Sequence, residues 1–186
     1  MEVFKNGSRF VRFDCHLHTK SDKEFKYTEE ENEFLNKYIE KLKEENINIG
    51  IITNHNKFNY EEYKNLRKKA LKDEIYLLPG VELSVKEGSN GLHVLIAFSE
   101  EWISNGTDKI NTFLDAAFIN VTENRENENT RCDYDLFNLI EALNRTQKDY
   151  FIIFAHVDQR SGMFYECNGG MITTLFNKNI LKENTY

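Results

Sequence analysis

The chain contains five histidines, and each of them lies at one end of an apolar run that has the character of a strand. His16 and His18 stand two residues apart in an Asp-Cys-His-Leu-His segment, and His55 and His156 each follow a strongly apolar run. His93 instead precedes such a run. Imidazole is the side chain that most often binds a metal ion. The pattern therefore predicts a metal site assembled from several segments.

The spacing of the first two histidines suggests that they act together. Successive side chains of a strand point to opposite faces, so Asp14, His16 and His18 are expected on one face. Two imidazoles presented in this way can bind one ion, and Asp14 could orient one of the rings. Taken alone, the same spacing also fits a pair of histidines exposed at the end of a strand.

Glu82 is the acidic residue of a Pro-Gly-Val-Glu-Leu-Ser-Val segment. Alternation places Glu82 and Ser84 on one face of this strand and its aliphatic residues on the other. Burying an unpaired charge is costly, so Glu82 needs a partner. A metal ion would serve, and a carboxylate can bridge two ions. The alternative is a glutamate that faces solvent from an edge strand.

Strands and helices are predicted to alternate along the chain. Strands are expected at 9–15, 47–53, 75–85 with a break at Pro79-Gly80, 93–98 and 150–156, and helices at 29–45, 60–72, 107–119, 134–146 and 171–186. Such alternation is typical of a mainly parallel sheet or barrel with helices outside. Functional groups of these folds gather at the C-terminal ends of the strands, where all the histidines except His93 fall. The third and fourth strands are predicted to form a local hairpin.

The composition fits one globular domain in a chain of 186 residues, 40% of them hydrophobic. The net charge of −7 would repel nucleic acid unless local basic patches or bound cations offset it. The cysteines, Cys15, Cys132 and Cys167, form no paired motif and are expected to be reduced thiols. No segment has the pattern of a signal peptide or a membrane span, so a cytoplasmic protein without a membrane partner is expected.

Four ordered motifs resemble those of the PHP (polymerase and histidinol phosphatase) superfamily. They lie at 14–19 with Asp22, at 52–56, at 79–82 with His93, and at 155–156, and together they span about Phe10 to Asp158. Four motifs in the same order are far more specific than any one of them. The resemblance implies a distorted (β/α)7 barrel with up to three metal ions at the C-terminal ends of its strands.

The resemblance also implies how the first two ions would be held. His16 and His18 would bind the first, and Glu82 would bridge it to the second. His93 and His156 would complete the ligands of the second ion. The two or three divalent ions would be Zn, Mn or Fe, because histidine and carboxylate ligands suit all three.

A third ion would be held by His55 and Asp22, again by resemblance. Three further residues are candidates for a catalytic part: Asp14 and Asn54 beside the ligands, and Arg160 as a contact to phosphate. PHP proteins usually have aspartate where Asn54 stands. Asparagine cannot supply the negative charge that an aspartate would offer for proton transfer or for orienting a ligand.

The last motif of the family, an Asp-x-His on a late strand, is absent, because no histidine follows His156. Asp158 is the nearest substitute. We therefore expect one PHP-like domain over 1–186 whose barrel is incomplete at the C-terminus, with 159–186 as a tail or the start of a missing segment. The layout of residues 6–10 looks similar to PHP domains that precede an SMC-like ATPase (TrlF type), which implies an ATPase segment or partner chain.

The function implied by this resemblance is metal-dependent hydrolysis of phosphoesters, with DNA or RNA as the leading substrates. A small-molecule phosphatase of the histidinol-phosphate type is one alternative. Another is a degenerate PHP module that partners an ATPase without catalysis. Lys57 and a basic helix face (Lys64, Arg67, Lys68, Lys69 and Lys72) are further candidate phosphate contacts, although a solvated helix face is the commoner meaning of such a run.

Overall fold

The five strands lie side by side in the order in which they occur along the chain. The computed structural model describes residues 10–27, 33–104, 106–167 and 169–177. The strands are β1 (Phe13–Leu17), β2 (Ile49–Ile52), β3 (Tyr76–Val85), β4 (Leu92–Phe98) and β5 (Tyr150–Phe154). The helices are α1 (Phe34–Glu44), α2 (Tyr60–Ala70), α3 (Lys109–Ala117), α4 (Leu136–Asn144), α5 (Met163–Glu166) and α6 (Gly169–Asn177), with 3₁₀ turns at Leu71–Asp73 and Glu100–Trp102.

The directions of the strands bring the carboxyl ends of four strands to one edge of the sheet. β1, β2 and β3 are parallel, whereas β4 is antiparallel to both β3 and β5. β5 therefore runs in the same direction as β1, β2 and β3. As a consequence, the amino end of β4 lies at the edge where the other strands end. Two of the four strand pairings are parallel and two are antiparallel, so the sheet is mixed rather than mainly parallel as predicted. The predicted hairpin between β3 and β4 is confirmed.

β3 runs without a break through Pro79 and Gly80, so the interruption predicted there is wrong. Proline cannot donate a backbone hydrogen bond, but at position 79 the strand pairs only with β2. Pairing with β4 begins at Gly80. A Cβ at Gly80 would lie 2.5 Å from Ile51 Cγ2 and 2.8 Å from the Ile96 carbonyl oxygen. Only glycine lets three strands meet this closely.

The sheet is a curled, open half-barrel, consistent with an incomplete barrel. Four helices bury an apolar face in one core: α1 through Phe34 and Ile39, α2 through Leu66, and α3 and α4 through residues such as Ile110 and Leu139. This core holds the strands in register and therefore holds their ends in place.

The bounds of several elements differ from those predicted. β1 begins at Phe13, after the predicted strand start; residue 9 itself lies outside the described residues. α1 is described from Phe34, and its predicted start at 29 lies outside the described residues. The helix predicted at 171–186 is α6 as far as Asn177, and the remainder lies outside the described residues. In the described part of the chain, no helix has the length and apolar character needed to cross a membrane.

Candidate metal centre

One oxygen of Glu82 lies against three histidine rings. Glu82 Oε2 is 2.6 Å from His16 Nε2, 3.2 Å from His55 Nε2 and 3.5 Å from His18 Nε2. The carboxylate is 1% exposed. β1 delivers His16 and His18, while His55 pairs with Glu82 in an isolated parallel bridge just beyond β2. β3 extends past the end of β2, which raises Glu82 above the edge of the sheet and into this cluster.

The other oxygen of Glu82 lies against the two remaining histidines. Glu82 Oε1 is 2.9 Å from His93 Nδ1 and 3.1 Å from His156 Nε2. His93 reaches the cluster because β4 is antiparallel and starts at the edge where its neighbours end. His156 follows β5, and its φ of +26° is uncommon for a non-glycine residue. The structure thus brings all five histidines around one buried carboxylate.

Asp22 is a second buried carboxylate, and it contacts two of the same rings. Its Oδ2 lies 2.9 Å from His18 Nδ1 and 2.9 Å from His55 Nδ1, and it accepts the His55 backbone N–H at 2.7 Å. The His18 and His55 rings are stacked with centroids 4.6 Å apart. Each of these rings therefore bridges Asp22 on one side and Glu82 on the other.

The two carboxylates are held in their anionic form. Burial by itself raises the pKa of Glu82, but hydrogen bonds from His156, His16 and His93 outweigh it and lower the pKa well below its ordinary value. The pKa of Asp22 is lowered against burial in the same way by His18 and His55. A carboxylate must be deprotonated to bind a metal ion, so this environment favours binding.

Among the described residues, three groups of side chains have donor atoms close enough to hold a metal ion, and Glu82 belongs to two of these groups. They are His16 with His18 and Glu82, His18 with Asp22 and His55, and His55 with Glu82 and His93. Nitrogen and carboxylate donors fit divalent transition metals. His93 Nε2 and His156 Nδ1 are buried and have no hydrogen-bond partner in the described part of the chain. Such buried polar atoms are unusual in native proteins, and they fit a site that takes a further ligand.

The predicted ligands are therefore together, although their grouping differs from the one expected. His16, His18 and Glu82 form one group as predicted for the first ion. His55, predicted only for the third ion, also joins Glu82 and His93. The assignment of residues to individual ions remains a prediction.

The Asn54 side chain holds the loop after β1 through two hydrogen bonds to Thr19. Its Oδ1 accepts the Thr19 backbone N–H at 2.8 Å, and its Nδ2 donates to Thr19 Oγ1 at 2.8 Å. The Thr19 hydroxyl in turn donates to Glu62. The Asn54 carbonyl also accepts the backbone N–H of Glu82 at 3.1 Å. Asn54 therefore positions the segments that carry His18 and Glu82.

Asn56 is a buried support that sequence reasoning missed. Its backbone N–H donates to the Glu82 carbonyl at 2.7 Å, and its Oδ1 accepts the Ser84 N–H at 3.0 Å. Its Nδ2 donates to the Thr130 carbonyl at 2.9 Å. Its φ is +51°, which asparagine tolerates better than most residues, so an Asn just after a strand-end histidine was the available signal.

Asp14 has a different contact from the one expected. Its Oδ1 accepts the backbone N–H of His16 at 3.0 Å, and among the described residues Asp14 makes no hydrogen bond to an imidazole. The pairing of β1 with β2 shifts register between Asp14 and Leu17, so strict alternation fails there. Asp14 shapes the backbone that carries His16.

The two predicted phosphate contacts differ in their surroundings. Lys57 Nζ lies 2.9 Å from Glu126, so its charge is already paired. Arg160 donates from its guanidinium to the neutral Asn90 Oδ1 at 2.9 Å. Arg160 also lines a polar cavity of about 560 Å³ beside His55, His93 and His156. A second, largely aromatic cavity of about 400 Å³ adjoins His16 and His18.

Comparison with known proteins yields similarity in structure alone. No protein-family model and no curated protein matches the chain. A crystal structure from Bifidobacterium adolescentis, provisionally described as a metal-dependent phosphoesterase, superposes with a TM-score of 0.54 at 11% identity, covering 89% of this chain and 74% of the other. PsfC from Pseudomonas syringae gives 0.47 at 13% identity, covering 85% and 58%. The first of these shows that the two proteins share a fold.

Proposed function

We propose that the protein is a metal-dependent phosphoesterase of the PHP type that acts on nucleic acid. The observation that carries the proposal is the cluster of five histidines around the buried Glu82, with Asp22 against two of their rings. The fold shared with a provisionally described metal-dependent phosphoesterase supports it.

In this proposal, one group of residues binds the metal ions and another residue binds the substrate. Bound divalent ions would supply an activated water and neutralise charge on the phosphoryl oxygens. His16, His18 and Glu82 would hold one such ion, and Asp22 fixes the His18 and His55 rings from behind. Arg160 lies in the adjoining cavity, where a guanidinium can pair with phosphate oxygens.

The acidic character of the whole molecule restricts how nucleic acid would bind. With a net charge of −7, attraction to a polyanion has to be local, at the ions and the cavity arginines. A small-molecule phosphatase is the second candidate, because a cavity of about 560 Å³ has the size of an ordinary small-ligand site.

Metal analysis combined with hydrolysis assays tests these functions. Purified protein should contain Mn, Zn or Fe, and it should hydrolyse bis(4-nitrophenyl) phosphate and a single-stranded oligonucleotide. The double variant His16→Ala/His18→Ala should lose both metal and hydrolysis. Hydrolysis of phosphomonoesters without cleavage of oligonucleotides would select the small-molecule function. A folded protein that binds no metal and hydrolyses none of these phosphodiesters and phosphomonoesters would refute both proposed functions.

A further inference from the structure

Arg131 lies beside the histidine cluster and has no recognised partner among the residues that the structure describes. It precedes α4 and lines the polar cavity together with His55, His93 and His156. No hydrogen bond or ion pair engages its guanidinium among the described residues, although Glu128 lines the same cavity. Arg125, in the same loop, shows the usual arrangement, since its guanidinium lies 2.6 Å from Asp115. An unpaired arginine in a cavity is available for an anionic ligand.

The stem of Arg131 rests on a glycine. A Cβ at Gly91 would lie 2.7 Å from Arg131 Cγ and 2.9 Å from its Cδ, and Gly91 has φ of +91°. Any other residue at position 91 would therefore push the stem aside. The connection between β3 and β4 thus has a glycine at the position against which the Arg131 side chain packs.

The backbone around Arg131 is tied to the strand that carries Glu82. The Thr130 carbonyl accepts from Asn56 Nδ2 at 2.9 Å, and the Cys132 N–H donates to the Ser84 carbonyl at 2.8 Å. Asn56 also binds β3 at residues 82 and 84. Buried hydrogen bonds therefore fix the position of Arg131 relative to the metal cluster, although its side chain is at the surface.

Arg160 reaches the same cavity from another segment. Its guanidinium bonds only to the neutral side chain of Asn90 among the described residues, at 2.9 Å and 3.2 Å. Glu166 holds Asn90 in turn, accepting from its backbone N–H at 3.0 Å and from its side-chain amide at 2.8 Å. Within the described part of the chain, neither arginine is directly paired with a carboxylate, so the cavity offers two guanidinium groups to an incoming anion.

We propose that Arg131, acting with Arg160, binds a phosphoryl group of the substrate in this cavity. The planar fork of a guanidinium matches two phosphate oxygens, and a second guanidinium completes the pairing of a dianion. The inference rests on the proposed phosphoesterase function, because it assigns where that enzyme holds its substrate. The bound phosphoryl group is either the one hydrolysed or a second phosphate of the same substrate.

Calorimetric titration with inorganic phosphate tests the binding without requiring catalysis. Arg131→Gln should weaken phosphate binding by at least about tenfold, as expected for loss of a charge-assisted hydrogen-bonded pair. Arg131→Lys should lie between this variant and the wild type, because lysine keeps the charge but not the fork. Arg125→Gln, which removes the same charge from the same loop, should bind phosphate as the wild type does. Equal metal content in all variants shows that the cluster is intact.

The outcomes separate this inference from the proposed function. If the protein lacks hydrolytic activity but Arg131→Gln still weakens phosphate binding, the anion site stands and the proposed function fails. If Arg131→Gln binds phosphate as tightly as Arg125→Gln, the inference is overturned. If the wild type is active and Arg131→Gln has a reduced kcat/KM for 4-nitrophenyl phosphate, Arg131 binds the phosphoryl group that is hydrolysed. A reduction confined to substrates with an additional phosphate places that second group there.

Discussion

At the scale of single residues, the site depends most on Glu82. Its two oxygens lie within 3.5 Å of ring nitrogens from all five histidines, and these come from segments up to 74 positions away in the chain. Because one carboxylate is shared by so many rings, its charge affects every possible ion site in the cluster. Asp22 has the same effect on only two rings.

Glu82→Gln should therefore lower metal affinity by at least about 100-fold, because Glu82 is a candidate ligand itself and loss of even an outer partner of a ligand costs about 10- to 100-fold. Glutamine keeps the shape but removes the charge that balances the ions. Glu87→Gln is the matched control, since Glu87 is also buried but accepts from the Leu136 N–H outside the cluster. Metal titration followed by elemental analysis measures both. Wild-type affinity in Glu82→Gln would contradict the site.

Asn54→Asp tests why position 54 carries an asparagine rather than an aspartate. Because the Thr19 hydroxyl donates to Glu62, Thr19 Oγ1 needs a donor, which Asn54 Nδ2 supplies and an ionised aspartate cannot. The variant should lose about 1–3 kcal/mol of unfolding free energy at pH 7.

The pH dependence of Asn54→Asp has a definite sign. Burial beside Glu62 would raise the folded-state pKa of the new carboxyl above its unfolded value, so the folded protein binds more protons. The stability deficit should therefore shrink as pH falls and be largest at neutral pH and above. Urea unfolding at several pH values measures it. Asn46→Asp, at an exposed position, should show no such trend, and a deficit that is the same at every pH would refute the explanation.

At the scale of elements, the loops after β1 and β2 carry His18, Asp22 and His55, and α2 anchors one of these loops. Asn59 caps α2, accepting the Glu62 N–H at 3.1 Å through its Oδ1. Its Nδ2 donates to Ser21 Oγ at 2.8 Å, next to Asp22. One residue therefore joins the start of a helix to the loop that holds a candidate ligand.

Two substitutions at Asn59 separate these contacts. Asn59→Ala removes both and should cost about 1 kcal/mol through loss of the cap. Asn59→Asp keeps a good capping oxygen but loses the donor to Ser21, so stability should be near that of the wild type. Both variants should bind metal several-fold more weakly, because the Asp22 loop loses its anchor. Equal destabilisation by the two substitutions, measured by urea unfolding, would show that the cap contributes little.

At the scale of the whole molecule, binding of metal and of protons should oppose each other. Burial lowers the pKa of His55, but the hydrogen bond that its ring donates to Asp22 and the charge of Glu82 outweigh burial, and the net pKa is raised. Without metal, this group stabilises the fold below its unfolded pKa of about 6.5, and the contribution is lost as pH rises through the folded pKa. A metal ion needs the neutral ring, so its binding should strengthen over the same range.

Thermal unfolding at pH 6 and pH 8, with and without metal, measures this opposition. The increase in Tm on adding Mn²⁺ or Zn²⁺ should be larger at pH 8 than at pH 6. At 100 times Kd, a ligand specific for the folded state adds about 2.7 kcal/mol, so the shift should be readily measured. The His16→Ala/His18→Ala variant should show a much smaller increase. A shift that is larger at the lower pH would contradict proton competition.

Local sequence patterns determined a large part of this molecule. The His-x-His spacing, the apolar runs that end at His55 and His156, and the hairpin before His93 follow from side-chain alternation and turn chemistry, which act over a few residues. The same rules did not locate the start of β1, because packing rather than propensity sets such a boundary. They also predicted a break in β3 that the arrangement of its neighbours removes.

Only the tertiary structure decided which of these residues meet. Glu82 lies at the centre of the cluster because β3 extends beyond the end of β2. His93 joins the cluster because β4 is antiparallel to β3. Arg131 reaches the same cavity because Asn56 ties its segment to β3. Strand length, order and direction result from packing of the whole core, in which contacting residues are tens of positions apart. No local pattern records those contacts, so the sequence determined which residue types could bind metal, while packing decided how they are grouped.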